Sequence, residues 1–129
     1  MNEKRALIID DNSKNMAVLA RLLATEGVES VQVNDPRILE SAIESPDKFD
    51  VVFLDLEMPM IDGFQVLDTL KTDERFQSVP VVAYTVHVSE MRNAYQHGFD
   101  GFIGKPLDSD RFPNQLSRIL NGEGVWETS

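Results

Sequence analysis

The chain has 129 residues, 42% of them hydrophobic and 26% charged, which is enough for one domain with a proper core. It contains no cysteine, which excludes disulfides and thiol catalysis and fits a cytoplasmic setting. A formal net charge of −10 disfavours nucleic acid and favours a cation or a basic protein patch as partner.

The first apolar run, Ala6–Ile9, is too short to cross a membrane. No signal-peptide pattern precedes it, so neither export nor membrane insertion is expected. It ends in two adjacent aspartates, Asp10 and Asp11. At about 4 Å and an effective dielectric near 20, two carboxylates repel by roughly 4 kcal/mol. A fold keeps such a pair only where it faces water or holds something positive.

Met16, Leu19, Leu22 and Leu23 then make a helical stripe that Gly27 should close. Val28–Val33 alternates, with Val31 and Val33 on one side, as an edge strand would. Asp35-Pro36 reads as N-cap and first position of a second helix carrying Ile38, Leu39, Ala42 and Ile43. Val51–Leu54 is a continuous apolar strand ending at Asp55. Asp62-Gly63 turns the chain into a helix marked by Phe64, Leu67 and Leu70.

A fourth strand, Val79–Tyr84, leads to Thr85, and Ser89 is placed to cap a helix that runs to His97 and stops at Gly98. A fifth strand, Gly101–Ile103, precedes Lys105-Pro106. The last helix, 110–120, must hold Pro113 in its first turn. Residues 121–129 read as a short, mobile C-terminal tail after a domain spanning 1–120. Trp126 within it is either a local anchor or an exposed docking residue.

Strict alternation of strands and helices predicts a doubly wound α/β sheet, in which ligands gather at the carboxyl ends of the strands. Those ends carry Asp10-Asp11, Asp55, Thr85 and Lys105. Converging carboxylates call for a hard divalent cation, and Mg²⁺ commonly binds one or two carboxylates plus a phosphate. A lysine and a hydroxyl alongside suit the oxygens of a transferring phosphoryl group, and an aspartate can be the nucleophile that receives it.

The stretches LIIDDN, VVFLDLEMPMIDGF, VVAYT and GFIGKPL together resemble the receiver domain of two-component response regulators, from about Arg5 to Leu120. The resemblance implies a flavodoxin-like (CheY-like) three-layer αβα fold with a five-stranded sheet ordered 2-1-3-4-5. It implies Asp55 as phosphoacceptor and a Mg²⁺ site made by Asp10, Asp11, Asp55 and the backbone carbonyl of Glu57. Thr85 would be the switch hydroxyl and Phe102 the switch aromatic, while Lys105 contacts the phosphoryl group and forms a cis bond to Pro106. Glu57, Val86 and His87 flank the site and should tune access to it.

The phosphoryl donor would be a sensor histidine kinase or a histidine phosphotransfer protein. A downstream protein would read the face formed by helix 89–97, the fifth strand and helix 110–120, with Met91, Arg92 and Tyr95 as contacts. With no room for an output domain, a stand-alone phosphorylation switch is expected, with metal-dependent self-dephosphorylation at the same site.

Three other readings fit less well. An aspartyl phosphatase usually shows a second aspartate where Glu57 stands and needs more chain for a substrate cap, a flavin domain would not place two aspartates at a phosphate loop, and a silent scaffold would not keep Asp55, Thr85 and Lys105. Taken singly, Asp10-Asp11 is a helix cap, Lys105 a solvated lysine and Phe102 a core residue. His87 and His97 have no metal-ligand company, so zinc is not expected.

Overall fold

A computed structural model describes residues 4–35, 48–58 and 62–128. Along the chain run β1 (Lys4–Ile9), α1 (Ser13–Thr25), β2 (Val28–Val33), β3 (Val51–Leu54) and α2 (Gly63–Lys71). They are followed by β4 (Val81–Thr85), α3 (Met91–His97), β5 (Gly101–Gly104), α4 (Phe112–Leu120) and β6 (Trp126–Glu127). The strands form one parallel sheet ordered β2-β1-β3-β4-β5-β6. The flavodoxin-like α/β architecture and the expected 2-1-3-4-5 order are present. The second predicted helix, after Asp35-Pro36, lies outside the described residues, as does Pro59.

β1, β3 and β4 read as unbroken apolar runs because helices cover both faces of the sheet. Successive side chains point to opposite faces, so each strand feeds two cores. Ala6, Ile8, Phe53 and Tyr84 pack on one side with Met16, Leu19 and Leu23 of α1 and Phe112 and Leu116 of α4. Leu7, Ile9, Leu54 and Phe102 pack on the other with Val66, Leu67 and Leu70 of α2 and Ala94 of α3. β2, at the sheet's end, is only partly covered: Val28 and Val33 are buried, while the residues between them are half-buried or exposed without the expected strict alternation.

Local chemistry sets the element ends. The Asn12 side chain accepts from the amides of Lys14 and Asn15 and caps α1, and Gly27 follows α1 with φ +77°. Asp62 caps α2 by accepting from the Phe64 amide. Two expectations shift. β4 starts at Val81, because Val79 donates back to Phe76 in a turn and Pro80 has no amide to give. Ser89 caps nothing: Val88–Glu90 is a 3₁₀ turn running into α3 without a side-chain cap.

The larger correction concerns residues 121–129, expected as a mobile tail beside a five-stranded sheet. Residues 126–127 instead add the sixth strand, parallel to β5, and Val125 is fully buried. Val125 follows Gly124 after only a short polar turn, so its burial left too little periodicity for the sequence to announce. Trp126 is the local anchor of the two readings, half-buried with its ring centroid 5.1 Å from that of Tyr95.

Candidate functional site at the carboxyl edge of the sheet

The parallel register brings the strand ends level. Ile9 pairs with Leu54 and Leu54 with Ala83, so Asp10, Asp55 and Tyr84 follow at the same edge. Thr85 pairs with Gly104, which puts Lys105 just beyond it. The Lys105 amide donates to the Thr85 carbonyl at 2.9 Å, and Lys105–Pro106 is cis.

Asp10, Asp11 and Asp55 each present a carboxylate oxygen within 4.8 Å of the others. Asp10 and Asp55 are buried, whereas Asp11 is exposed. The Lys105 ammonium lies 3.2 Å from Asp10 Oδ2 and 3.6 Å from Asp55 Oδ1, with only 8% of its side chain exposed. One buried cation therefore faces a cluster of three acids. Such a cluster offers hard oxygen donors with an open, solvent-facing side, the donor chemistry that suits Mg²⁺.

The two buried acids divide the charge unequally. Burial pushes the Asp55 carboxyl up to about 7, helped by the hydrogen bond to Asp10 and opposed by Lys105. Burial also pushes Asp10 up, but the Asn12 amide, the Tyr84 hydroxyl and the bond to Asp55 outweigh it and hold Asp10 below the usual carboxylate range. Asp10 is the more readily ionised of the pair, and Asp55 the one that more readily holds a proton.

Tyr84 was not singled out from the sequence. Its hydroxyl donates to Asp10 Oδ2 at 2.7 Å, and its ring lies beneath the Lys105 ammonium at 4.3 Å. Burial first, then the Asp10 charge, push its own ionisation far upward, so it remains a donor. The available signal was a tyrosine in an otherwise apolar strand, since a buried phenol needs a hydrogen-bond partner.

At the rim, the buried Thr85 hydroxyl donates to Glu57 Oε1 and accepts from the His87 amide at 3.1 Å. His87 Nε2 lies 3.3 Å from the same Glu57 oxygen. The Glu57 amide donates to Asp55 Oδ1 at 3.1 Å. Val86 is 53% exposed beside them. Phe102 is fully buried, packed in the core that holds Ala94 of α3.

An aspartate cluster, a lysine bridging two of its members and a buried threonine thus lie together at this edge. The family profile for the response regulator receiver domain matches residues 6–117. The chain belongs to that family. Sensor protein GacS of Pseudomonas syringae is 35% identical over 121 residues, covering 90% of this chain and 13% of GacS. The polar-differentiation response regulator DivK of Brucella anthropi is 29% identical over 120 residues, covering 91% of this chain and 96% of DivK.

Among solved structures, the receiver domain of the sensor histidine kinase PA1611 of Pseudomonas aeruginosa superposes with a TM-score of 0.80. It is 23% identical, covers 93% of this chain and 99% of that one, and holds a magnesium ion in its active-site cleft. Several of the curated relatives are long kinases of which this receiver spans only a small part, 6% in the case of hybrid signal transduction histidine kinase L of Dictyostelium discoideum. Among the described residues no helix is long and apolar enough to cross a membrane.

Proposed function

We propose that this receiver is a Mg²⁺-dependent phosphorylation switch in which Asp55 takes a phosphoryl group from a sensor histidine kinase or a histidine phosphotransfer protein. The observation that carries the reading is the convergence of Asp10, Asp11 and Asp55 with Lys105 held 3.6 Å from Asp55 Oδ1. Asp10, Asp11 and Asp55, with the Glu57 carbonyl, would hold the cation, which when bound offsets charge on the carboxylates and on the phosphoryl oxygens.

Asp55 is the nucleophile: its carboxylate oxygen bonds to phosphorus as the bond from phosphorus to the donor imidazole breaks. The departing imidazole nitrogen gains a proton. Lys105 would hold one phosphoryl oxygen. The Thr85 hydroxyl, bonded to Glu57 in the resting chain, would exchange that carboxylate for a phosphoryl oxygen. Phe102, in the strand next to Thr85, would follow it, and the face of α3, β5 and α4 would be read by a downstream protein. Water attack on the same phosphorus resets the switch, with Glu57, Val86 and His87 controlling its approach. We place this cycle in the cytoplasm, a setting that a chain without cysteine fits.

The test is transfer from a radiolabelled histidine phosphotransfer protein. Label should move to the wild type when Mg²⁺ is present, with the hydroxylamine lability of an acyl phosphate, and should not move to Asp55→Asn. Full labelling of the variant through an acid-stable bond would overturn the assignment.

A further inference from the structure

The edge of β5 away from β4 lies in the face that the proposed function gives to a downstream protein. In this chain that edge is covered. The Phe102 amide donates to the Val125 carbonyl at 2.7 Å, and Phe102 and Ile103 register with Trp126 and Glu127.

The covering is built into both sides of the contact. A Cβ on Gly104 would meet the Thr128 carbonyl oxygen at 1.9 Å, and one on Gly101 would meet the Val125 oxygen at 3.0 Å. Neither glycine has a positive φ, so close approach of the segment is what requires them. The Glu127 carboxylate accepts from Arg111 at 2.7 Å, Arg118 at 2.5 Å and the buried Gln115 at 2.9 Å, all from α4 or the residue before it. On the α3 side, Trp126 packs edge-on against Tyr95.

We propose that the β5 edge is a strand-docking surface whose resident occupant is the chain's own segment 122–128. The partner it fits is an extended peptide with an aromatic residue followed by a carboxylate. Main-chain bonds to β5 would give such a peptide its affinity, and the Tyr95 shelf and the Arg111–Arg118 pair its selectivity. The segment is tethered by a short turn, so it competes at an effective concentration of about millimolar. A partner therefore gains access only when the segment's hold is weakened. Gly104 adjoins Lys105, and Phe102 lies three residues before Lys105. Coupling of this release to the phosphoryl group rests on the function proposed above.

Two measurements on the full chain separate the claims. First, a fluorescently labelled peptide with the sequence of residues 122–129 is titrated into wild type and Glu127→Ala, with Glu127→Gln as a milder companion should the alanine variant lose its fold. Removing the carboxylate weakens the tethered competitor but not the peptide, so the variant should bind at least about tenfold more tightly than wild type. Equal binding by both, or none by the variant, overturns the docking surface.

Second, amide exchange and the emission of Trp126, the one tryptophan, are followed on adding beryllofluoride and Mg²⁺. Exchange at Phe102 should speed by about tenfold or more as the segment opens, and the emission should shift to the red. A response at Asp55, Glu57 and Thr85 with none at Phe102 and Trp126 overturns the coupling. No response at any of them overturns the phosphoryl switch itself, and the coupling with it.

Discussion

The Tyr84 hydroxyl donates to Asp10 Oδ2 at 2.7 Å from the far side of β3, tying the acidic pair to the strand that ends in Thr85. The bond fixes which way the Asp10 carboxylate faces. Partners of this kind, outside the ligands themselves, are commonly worth 10–100-fold in metal affinity. Tyr84→Phe keeps the ring beneath Lys105 and removes only the donor. Mg²⁺ affinity measured by calorimetry should fall roughly tenfold. Loss of a buried bond to a charged group should cost about 1.5–3 kcal/mol in urea unfolding.

The two adjacent aspartates should respond differently to removal. Asp10 already accepts from the Asn12 amide, Tyr84 and Lys105, whereas Asp11 is exposed. Asp11→Ala should weaken Mg²⁺ binding more than Asp10→Ala, because Asp10's oxygens are engaged and it is suited to act through water. Without metal the order of stability reverses. Asp11→Ala relieves repulsion and should raise Tm, while Asp10→Ala strands Tyr84 and Lys105 and should lower it. Thermal unfolding of both variants with and without Mg²⁺ checks the pair.

Metal-free stability should fall as pH rises from 5 to 8. The Asp55 pKa is raised in the folded chain to about 7, from 3.8. Between those values the folded state binds more protons than the unfolded one. The stability this contributes is fully present below the unfolded pKa and is lost as pH rises through the folded one. Asp10, shifted downward, acts in the opposite sense but at lower pH, where its share is lost on acidification. Urea unfolding of the metal-free protein should show the decline, and Asp55→Asn should flatten it.

Val86, 53% exposed at the rim, carries two methyl groups more than alanine and few rotamers with which to move aside. Val86→Ala should speed both labelling by a small phosphodonor and loss of the phosphoryl group. The upper bound is about tenfold, equivalent to about 1.4 kcal/mol of barrier. Decay curves at fixed Mg²⁺ and pH decide it, and equal or slower decay in the variant removes Val86 as the gate.

The strand ends were legible because each places a polar residue directly after an apolar run: Asp10 after Ile9, Asp55 after Leu54, Thr85 after Tyr84. That pattern alone locates a ligand edge in a parallel sheet. Tyr84 was hidden because its ring serves the core while its hydroxyl serves the site, and only the first shows as hydropathy. β6 was hidden for a different reason. Its two residues, Trp126 and Glu127, are held by contacts to Phe102, Tyr95, Arg111 and Arg118, none of them adjacent in sequence. The Glu57 carboxylate on Thr85 likewise depends on how the loop after β3 meets the end of β4 rather than on the residues of either one.

The most direct test of the account is the intact mass of the protein after exposure to a small phosphodonor, with and without Mg²⁺, for wild type and Asp55→Asn. The account predicts one added phosphoryl group on the wild type in the presence of Mg²⁺, and none without the metal or in the variant. An unchanged wild-type mass with Mg²⁺ present, or equal labelling of Asp55→Asn, would contradict it.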